Sequence, residues 1–224
     1  MEKKTSTTRL DRKTAALETL KQLEKVHSDA KIALNYSSPL ELLIATMLSA
    51  QCTDRRVNIV TKDLFKRYRT AKDYANTDLK TLEEEIKSTG FYHNKAKNIK
   101  NCCQMLVEKF KGQVPKTMEE LLQLPGVARK TANIVLANAY RVVEGIAVDT
   151  HVRRVSKRLG LTDNENPDKI ETDLMQIVPK KSWARITDLL IFHGRRICTA
   201  KHPNCAGCVL NDFCPSAFTF DQKD

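Results

Sequence analysis

The sequence predicts an all-α protein, and three observations on its 224 residues support that class. Glycine and proline number only seven each, so few residues would interrupt a helix. The alternation of apolar and polar residues that is typical of strands is nearly absent. Apolar residues instead recur every three or four positions, as they do on the buried face of an amphipathic helix.

The first two helices have clear sequence boundaries. An apolar stripe over 10–26 predicts a helix that ends near His27. The motif Ser-Pro-Leu-Glu at 38–41 combines a capping serine, a proline suited to the first helical position and a glutamate that can complete a capping box. The helix that follows, 40–50, is apolar on nearly all sides, which predicts a central place in a core.

Apolar stripes, capping motifs and terminating glycines predict the remaining helices. Gly90 and Gly112 end two of them, a capping box at 117–120 opens a short one, and Asn166 with Pro167 opens another. The predicted segments are 57–68, 79–86, 99–110, 117–124, 129–140, 166–177 and 183–190.

The composition points to a polyanionic partner. A formal net charge of +11 and a pI near 9.3 favour nucleic acid over a membrane surface. The longest strictly apolar run, 42–45, is far too short to span a bilayer, and residues 1–11 lack the apolar core of a secretory signal. We therefore expect a cytoplasmic protein, in which seven cysteines would be ligands or buried thiols and not disulfides.

Residues 122–132 predict two helices joined by a tight turn at Pro125-Gly126. Glycine permits a backbone geometry that side chains hinder. The N–H groups of 126–129 lie at a helix start, where unpaired donors and the helix dipole attract a phosphate group. Turns of this kind also form plain helix–helix corners, so the turn alone leaves DNA binding open.

Four cysteines fall within 17 residues with the spacing Cys-x6-Cys-x2-Cys-x5-Cys: Cys198, Cys205, Cys208 and Cys214. Four thiolates can bind zinc or an iron–sulfur cubane, and the spacing alone does not separate the two. The other three cysteines fall on apolar helix faces and are predicted to be buried: Cys52, Cys102 and Cys103.

Further motifs occur in the same chain. They are Leu-Ser-Ala-Gln-x-Thr-Asp at 48–54, Gly-Phe-Tyr at 90–92, Leu-Pro-Gly-Val-Ala-Arg-Lys-Thr-Ala at 124–132 and Val-Asp-Thr-His-Val at 148–152. Together with the cysteines, their order and spacing over roughly 30–214 resemble the endonuclease III family of helix–hairpin–helix DNA glycosylases. Two departures from the family pattern are Ala128, where a second glycine is usual, and a loop at 141–145 that is one residue longer.

The resemblance implies that Lys130 is the catalytic nucleophile and Asp149 the essential acid. A neutral amine can attack C1′ of a deoxynucleotide, expel the base and form a Schiff base. A lysine at this position favours an enzyme that both releases the base and cuts the strand. Two simpler interpretations stay open, namely that Lys130 is only solvated and that Asp149 only caps a helix beginning at Thr150.

The resemblance also implies a set of DNA contacts. An enzyme that acts on a base must extrude it from the duplex, and Gln51 and Phe91 match the positions that enter the vacated stack. Gln51 could instead cap a helix C-terminus, and Phe91 could be a core anchor. The implied DNA-contacting residues are Gln51, Phe91, Gly126, Val127, Ala128, Arg129, His151 and Lys201.

The fold implied by the resemblance is all-α and two-lobed. One lobe is a six-helix barrel over 33–146 that carries the helix–hairpin–helix. The other joins 1–32 to 147–224 and includes a [4Fe-4S] cluster loop at 198–214, with the four cysteines of that loop as iron ligands.

The function implied is that of a bifunctional DNA glycosylase and abasic-site lyase. The expected partner is double-stranded DNA with oxidised or ring-saturated pyrimidines or abasic sites. The protein is expected to be a monomer and to bind no membrane. Two alternatives stay open. One is a family relative with another base preference or lyase activity alone, and the other is a non-catalytic DNA-binding module with a structural metal.

Overall fold

The computed structural model describes residues 10–220, and within that range every regular element is a helix or helical turn. The all-α prediction is therefore confirmed. The α-helices are α1 Arg12–Val26, α2 Pro39–Leu48, α3 Asp54–Arg67, α4 Ala71–Asn76, α5 Leu79–Ile86, α6 Tyr92–Phe110, α7 Met118–Leu121, α8 Arg129–Val135, α9 Thr150–Arg158, α10 Pro167–Ile177 and α11 Trp183–Arg196. Two 3₁₀ turns, Lys87–Thr89 and Lys180–Ser182, and a π-helical segment, Leu136–Tyr140, complete the set.

The described chain forms two compact units. One is 32–144, and the other joins 10–31 to 145–220. We propose that these units are the two domains predicted from the sequence. Residues 1–9 and 221–224, which the second predicted domain includes, lie outside the described residues.

Helix α2 is the centre of the core of the first unit, as predicted. All of its residues except Pro39 and Glu41 are buried, and it packs on α3, α6 and α8. Each fully buried leucine or isoleucine contributes about 1.5–3 kcal/mol relative to exposure. Because α6 and α8 both rest on α2, the turn before α8 and the start of α6 are fixed to the same central helix.

The ends of α2 differ from the prediction in two ways. The Ser38 side chain caps the helix by accepting from the Glu41 N–H at 3.2 Å, but the Glu41 carboxylate accepts from the N–H of Ser37 and not from that of Ser38. The helix ends at Leu48 and not at residue 50, since Gln51 adopts a left-handed conformation with φ of 52°. The predicted end of the helix was therefore two residues too late.

The second unit has its core among α1, α9, α10 and α11. A buried run at 146–148 leads directly into α9. From Ile197 to residue 220 the chain contains no regular helix, and only Pro203 and Leu210 are buried in that stretch. This segment has no apolar core of its own, as predicted from its composition.

Among the helices within 10–220, none has both the length and the apolar character needed to cross a membrane.

Candidate active site and cluster-binding segment

Lys130 stands at the exposed start of α8. It is the second residue of the helix, and the preceding N-cap residue is Ala128, which is extended and has no side-chain acceptor to offer. Buried Leu124 and Val127 anchor the turn that leads into the helix. The first turn of α8 therefore presents an amine on the surface of its unit, where a large substrate can reach it.

Gly126 allows this turn to lie against the rest of the unit. Its φ of +76° is in the left-handed region, and a Cβ added there would stand 2.9 Å from both Asn98 Cβ and Met47 Cε. Glycine is thus required both for the backbone conformation and for the close approach to α6 and α2.

One predicted phosphate donor in the turn is already paired. The Val127 N–H donates to the Leu124 carbonyl at 3.1 Å, and the Val127 side chain is buried. The expectation that every N–H over 126–129 is available is therefore wrong at Val127. Gly126 and Ala128 are exposed, and Arg129 is half-buried, so these three stay candidates for DNA contact.

Asp149 is the N-cap residue of α9. Its Oδ1 accepts hydrogen bonds from the N–H groups of His151, at 2.8 Å, and Val152, at 2.7 Å. Within the described residues Oδ2 accepts no hydrogen bond. Asp149 does cap the helix, but one carboxylate oxygen is left for another role. The role of essential acid that the resemblance implies for Asp149 stays a prediction.

His151 is half-buried beside Arg154, whose guanidinium lies 3.2 Å from the His151 Nδ1. Burial lowers the pKa of His151, an effect that the Asp149 carboxylate opposes. A neutral ring can accept from Arg154 through Nδ1 and donate through Nε2. This arrangement suits the predicted phosphate contact, which stays a prediction.

Gln51 and Phe91 line one cavity of about 260 Å³ in the first unit. Phe91 is 63% exposed, which excludes the core-anchor interpretation. The C-cap of α2 is Ser49, so Gln51 is not the helix cap either. Exposure of the Phe91 ring loses the free energy that its burial would contribute. Both residues also have left-handed φ values, 52° for Gln51 and 50° for Phe91.

Lys95 lines the same cavity, and the sequence analysis missed it. It lies four residues before Ile99 on the apolar stripe of α6, and it is only 6% exposed. The sequence could have identified Lys95 by its position on the apolar stripe of the helix. Lysine is almost never fully buried without partners, so such a position indicates specific contacts.

The four cysteines of the cluster segment all line one small pocket. Among the described residues no three His, Cys, Asp or Glu side chains converge on a point where a single metal ion could bind. All four thiols nevertheless border the same pocket, as expected for ligands of a cluster in which each cysteine binds a different iron. Elsewhere, Cys102 and Cys103 are buried as predicted, whereas Cys52 is only half-buried.

The surroundings of the sulfur atoms fit an anionic cluster. The Arg158 guanidinium donates to Cys198 Sγ at 3.3 Å, and the Leu210 N–H donates to Cys208 Sγ at 3.4 Å. Burial raises the pKa of Cys208 and raises that of Cys214 to about 11. A metal that binds these sulfurs would displace their protons, and the two donors would then stabilise the thiolates.

Two arginines of α9, which the sequence analysis did not identify, hold the cluster segment. Arg154 donates to the carbonyl of Cys198 at 3.0 Å. Arg158 donates to the carbonyls of Thr199, at 2.6 Å, and Ala200, at 2.9 Å. Their spacing of four residues, which places both on one helix face, was the available indication. Lys201 follows directly and is exposed.

Two family models match the chain. The model of the HhH-GPD superfamily of base excision DNA repair proteins matches residues 44–180, and the model of the iron–sulfur binding domain of endonuclease III matches residues 198–214. The chain is 52% identical to endonuclease III of Synechocystis sp. over 206 residues, which cover 92% of this chain and 94% of that protein. It is 47% identical to endonuclease III of Bacillus subtilis, with 87% and 89% covered.

The chain belongs to the endonuclease III family.

Solved endonuclease III structures share its fold. A non-covalent endonuclease III–DNA complex and a trapped endonuclease III–DNA covalent intermediate each match with a TM-score of 0.90 at 45% identity. The matches cover 94% of this chain and 98% and 99% of the two solved chains. The predicted helix–hairpin–helix glycosylase fold is thereby confirmed. The match over 198–214, which begins at Cys198 and ends at Cys214, confirms the iron–sulfur cofactor.

We expect Gly126→Ala to destabilise the protein more than Gly112→Ala. Both glycines have left-handed φ values, 76° and 77°, which cost an alanine about 1–2 kcal/mol. Only at Gly126 would the new Cβ also meet neighbouring side chains, whereas nothing lies within 4 Å at Gly112. Overpacking adds about 1–3 kcal/mol. Urea unfolding of both variants measures the difference, and equal losses would contradict the close approach.

Proposed function

We propose that this protein is a bifunctional DNA glycosylase and abasic-site lyase of base excision repair, acting on oxidised or ring-saturated pyrimidines such as thymine glycol. The observation that carries the proposal is the lysine at the open start of α8, in a chain 45% identical to an endonuclease III trapped in a covalent intermediate with DNA. Double-stranded DNA is the macromolecular partner, and the net charge of +11 favours its phosphates.

Lys130 is the proposed nucleophile. Its unprotonated Nζ attacks C1′ of the damaged nucleotide, and the electron pair of the breaking C1′–N bond leaves with the base. Opening of the sugar ring gives an imine between C1′ and Nζ. Loss of a C2′ proton then expels the 3′ phosphate by β-elimination, and water hydrolyses the imine to release the lysine.

Asp149 is the proposed acid–base and electrostatic group. Its free oxygen, Oδ2, can stabilise positive charge on the sugar as the base departs, and it can carry the proton between steps. The two N–H groups on Oδ1 hold the carboxylate at the start of α9 while it does so. Capping thus orients the group that acts.

Gln51 and Phe91 are proposed to open the duplex. Extrusion of a base leaves a gap in the stack and an unpaired partner base. The exposed ring of Phe91 suits insertion between neighbouring bases, and the amide of Gln51 suits contact with the partner base. The first-turn N–H groups of α8, the His151 ring and Lys201 would bind phosphates on either side.

The four cysteines of 198–214 are the proposed ligands of a [4Fe-4S] cluster. When bound, the cluster cross-links a segment that has almost no apolar core. The arginines of α9 then hold the loop that presents Lys201. Free thiols of this kind persist in a reducing compartment, so we propose a cytoplasmic enzyme that associates with the nucleoid through DNA.

We expect borohydride to trap a covalent adduct between the enzyme and a duplex that carries one thymine glycol. Lys130→Arg should abolish this adduct, because the guanidinium keeps the charge for phosphate binding but is not a nucleophile. DNA affinity measured on an uncleaved duplex should change little. A non-catalytic binding module would give no adduct with the wild-type protein, and a Lys130→Arg enzyme that cuts at the normal rate would refute the mechanism.

Asp149→Asn separates catalysis from capping. Asparagine caps a helix about as well as aspartate, whereas Asp149→Ala removes the cap at a cost of about 1 kcal/mol. We expect the asparagine variant to unfold like the wild type but to release the base about 10²–10⁴-fold more slowly in single-turnover assays. Normal base release by the asparagine variant would leave Asp149 with the capping role alone.

The colour and the metal content of the purified protein identify the metal. We expect a brown protein with about four iron and four sulfide per chain, as for a four-thiolate cubane. Cys214→Ser should lose most of this iron, while Cys52→Ser, which changes a thiol outside the pocket of the four cysteines, should retain it. A colourless protein with one zinc would show that the site is a zinc site.

A further inference from the structure

Gln51 and Phe91, which are proposed to enter the duplex and are called the wedge residues below, lie on two short loops. The backbone of both loops is strained. Gln51 follows the end of α2, and Phe91 lies between the 3₁₀ turn and α6. Both have left-handed φ values, which are unfavourable for a residue with a side chain. Such strain persists only where neighbouring contacts hold the backbone. The structure must therefore contain a group that holds these loops.

The buried ammonium of Lys95 contacts both loops. Its Nζ donates to the Leu48 carbonyl at 2.8 Å and to the Thr89 carbonyl at 2.7 Å. Leu48 lies three residues before Gln51, and Thr89 lies two residues before Phe91. The Lys95 backbone N–H also donates to the Phe91 carbonyl at 3.1 Å. One residue thus fixes the chain next to both wedges.

The partners of Lys95 are carbonyl groups that need a donor. Leu48 is the last residue of α2 and Thr89 the last of the 3₁₀ turn, where carbonyls have no partner inside the helix. A cation at a helix C-terminus is also stabilised by the helix dipole. Burial lowers the pKa of Lys95, and these two carbonyls offset part of the cost of burying the charge.

We propose that Lys95 is a positioning residue for base extrusion, which ties the Gln51 loop to the Phe91 loop so that both side chains enter the duplex as one rigid wedge. The inference rests on the proposed roles of Gln51 and Phe91. Lys95 does not touch the reacting atoms. Because Lys95 already holds both loops, it reduces the entropy that they would otherwise lose when the enzyme binds DNA.

Lys100 provides a matched control on the same helix. Its Nζ also donates to two carbonyls, those of Ala75 at 2.8 Å and Thr77 at 2.5 Å, near the end of α4. Neither carbonyl belongs to a wedge loop. Lys95→Met and Lys100→Met therefore remove the same kind of interaction from the same unit, and only the first concerns Gln51 and Phe91.

The test compares two activities of each cluster-loaded variant. One is single-turnover release of thymine glycol from a duplex, which requires extrusion. The other is cutting of a single-stranded oligonucleotide with an abasic site, in which no base is paired or stacked in a duplex. We expect Lys95→Met to lower the ratio of the first to the second about ten-fold or more, since small displacements at a site can cost up to about 10²-fold. Lys100→Met should leave the ratio within about two-fold of the wild type.

A second measurement separates positioning from general stability. Removal of the Phe91 ring should make the position of its loop matter less. The loss of base release caused by Lys95→Met should therefore be smaller in a Phe91→Ala background than in the wild type, as a double-mutant cycle detects. Full additivity of the two losses would overturn the proposal, and so would an unchanged ratio in folded Lys95→Met.

A Lys95 variant that does not fold also has a defined interpretation. Should Lys95→Met not fold, Lys95→Arg and Lys95→Gln take its place in the same comparison. If none of the three folds while Lys100→Met does, Lys95 serves the stability of the unit and the proposal is overturned. Failure of the proposed function looks different, because the wild-type enzyme would then release no base or form no adduct through Lys130.

Discussion

Backbone groups at helix ends are the constraint on which this structure depends. A helix leaves its first N–H groups and its last carbonyls without partners inside the helix, and a protein built of helices has many such ends. The side chains proposed to function lie at these ends. Asp149 caps α9, Lys130 lies in the first turn of α8, and Lys95 pairs with the carbonyls that end α2 and the 3₁₀ turn. Asp149 and Lys95 pair with such groups, whereas the ammonium of Lys130 can only donate and therefore cannot pair with the N–H groups of the first turn of α8.

The cluster segment shows the same dependence where apolar burial is absent. Between Ile197 and residue 220 only two residues are buried, so the hydrophobic effect contributes little to its conformation. Arg154 and Arg158 donate instead to carbonyls and sulfur of the segment, and the proposed cluster would join its four cysteines. Both arginines belong to α9, whose N-cap residue is Asp149. The helix that holds the proposed acid therefore also holds the segment that presents Lys201.

The sequence predicted those helices whose limits depend on local groups. The limits 79–86 of α5 agree with the structure, in which Asp78 caps its first turn, but Gly90 ends the 3₁₀ turn that follows and not α5 itself. Helix α4 was missed, since six residues are too few to display a helical period. The π-helical segment at 136–140 was expected to be α-helical, because apolar spacing does not separate the two kinds of helix. These errors arise where local pattern carries little information.

Apolar periods and caps were enough to give the class of fold, and short motifs were enough to carry the family resemblance from which Lys130, Asp149 and the four cysteines are proposed, because all of these involve residues close together in the chain. They were not enough to show that Asp149 uses one oxygen to cap, that the Val127 N–H is paired, or what Lys95 binds. The two carbonyls on Lys95 come from residues 47 and 6 positions away. Which carbonyl a buried ammonium meets depends on how distant segments pack, and packing is settled by the whole core and not by any short stretch of sequence.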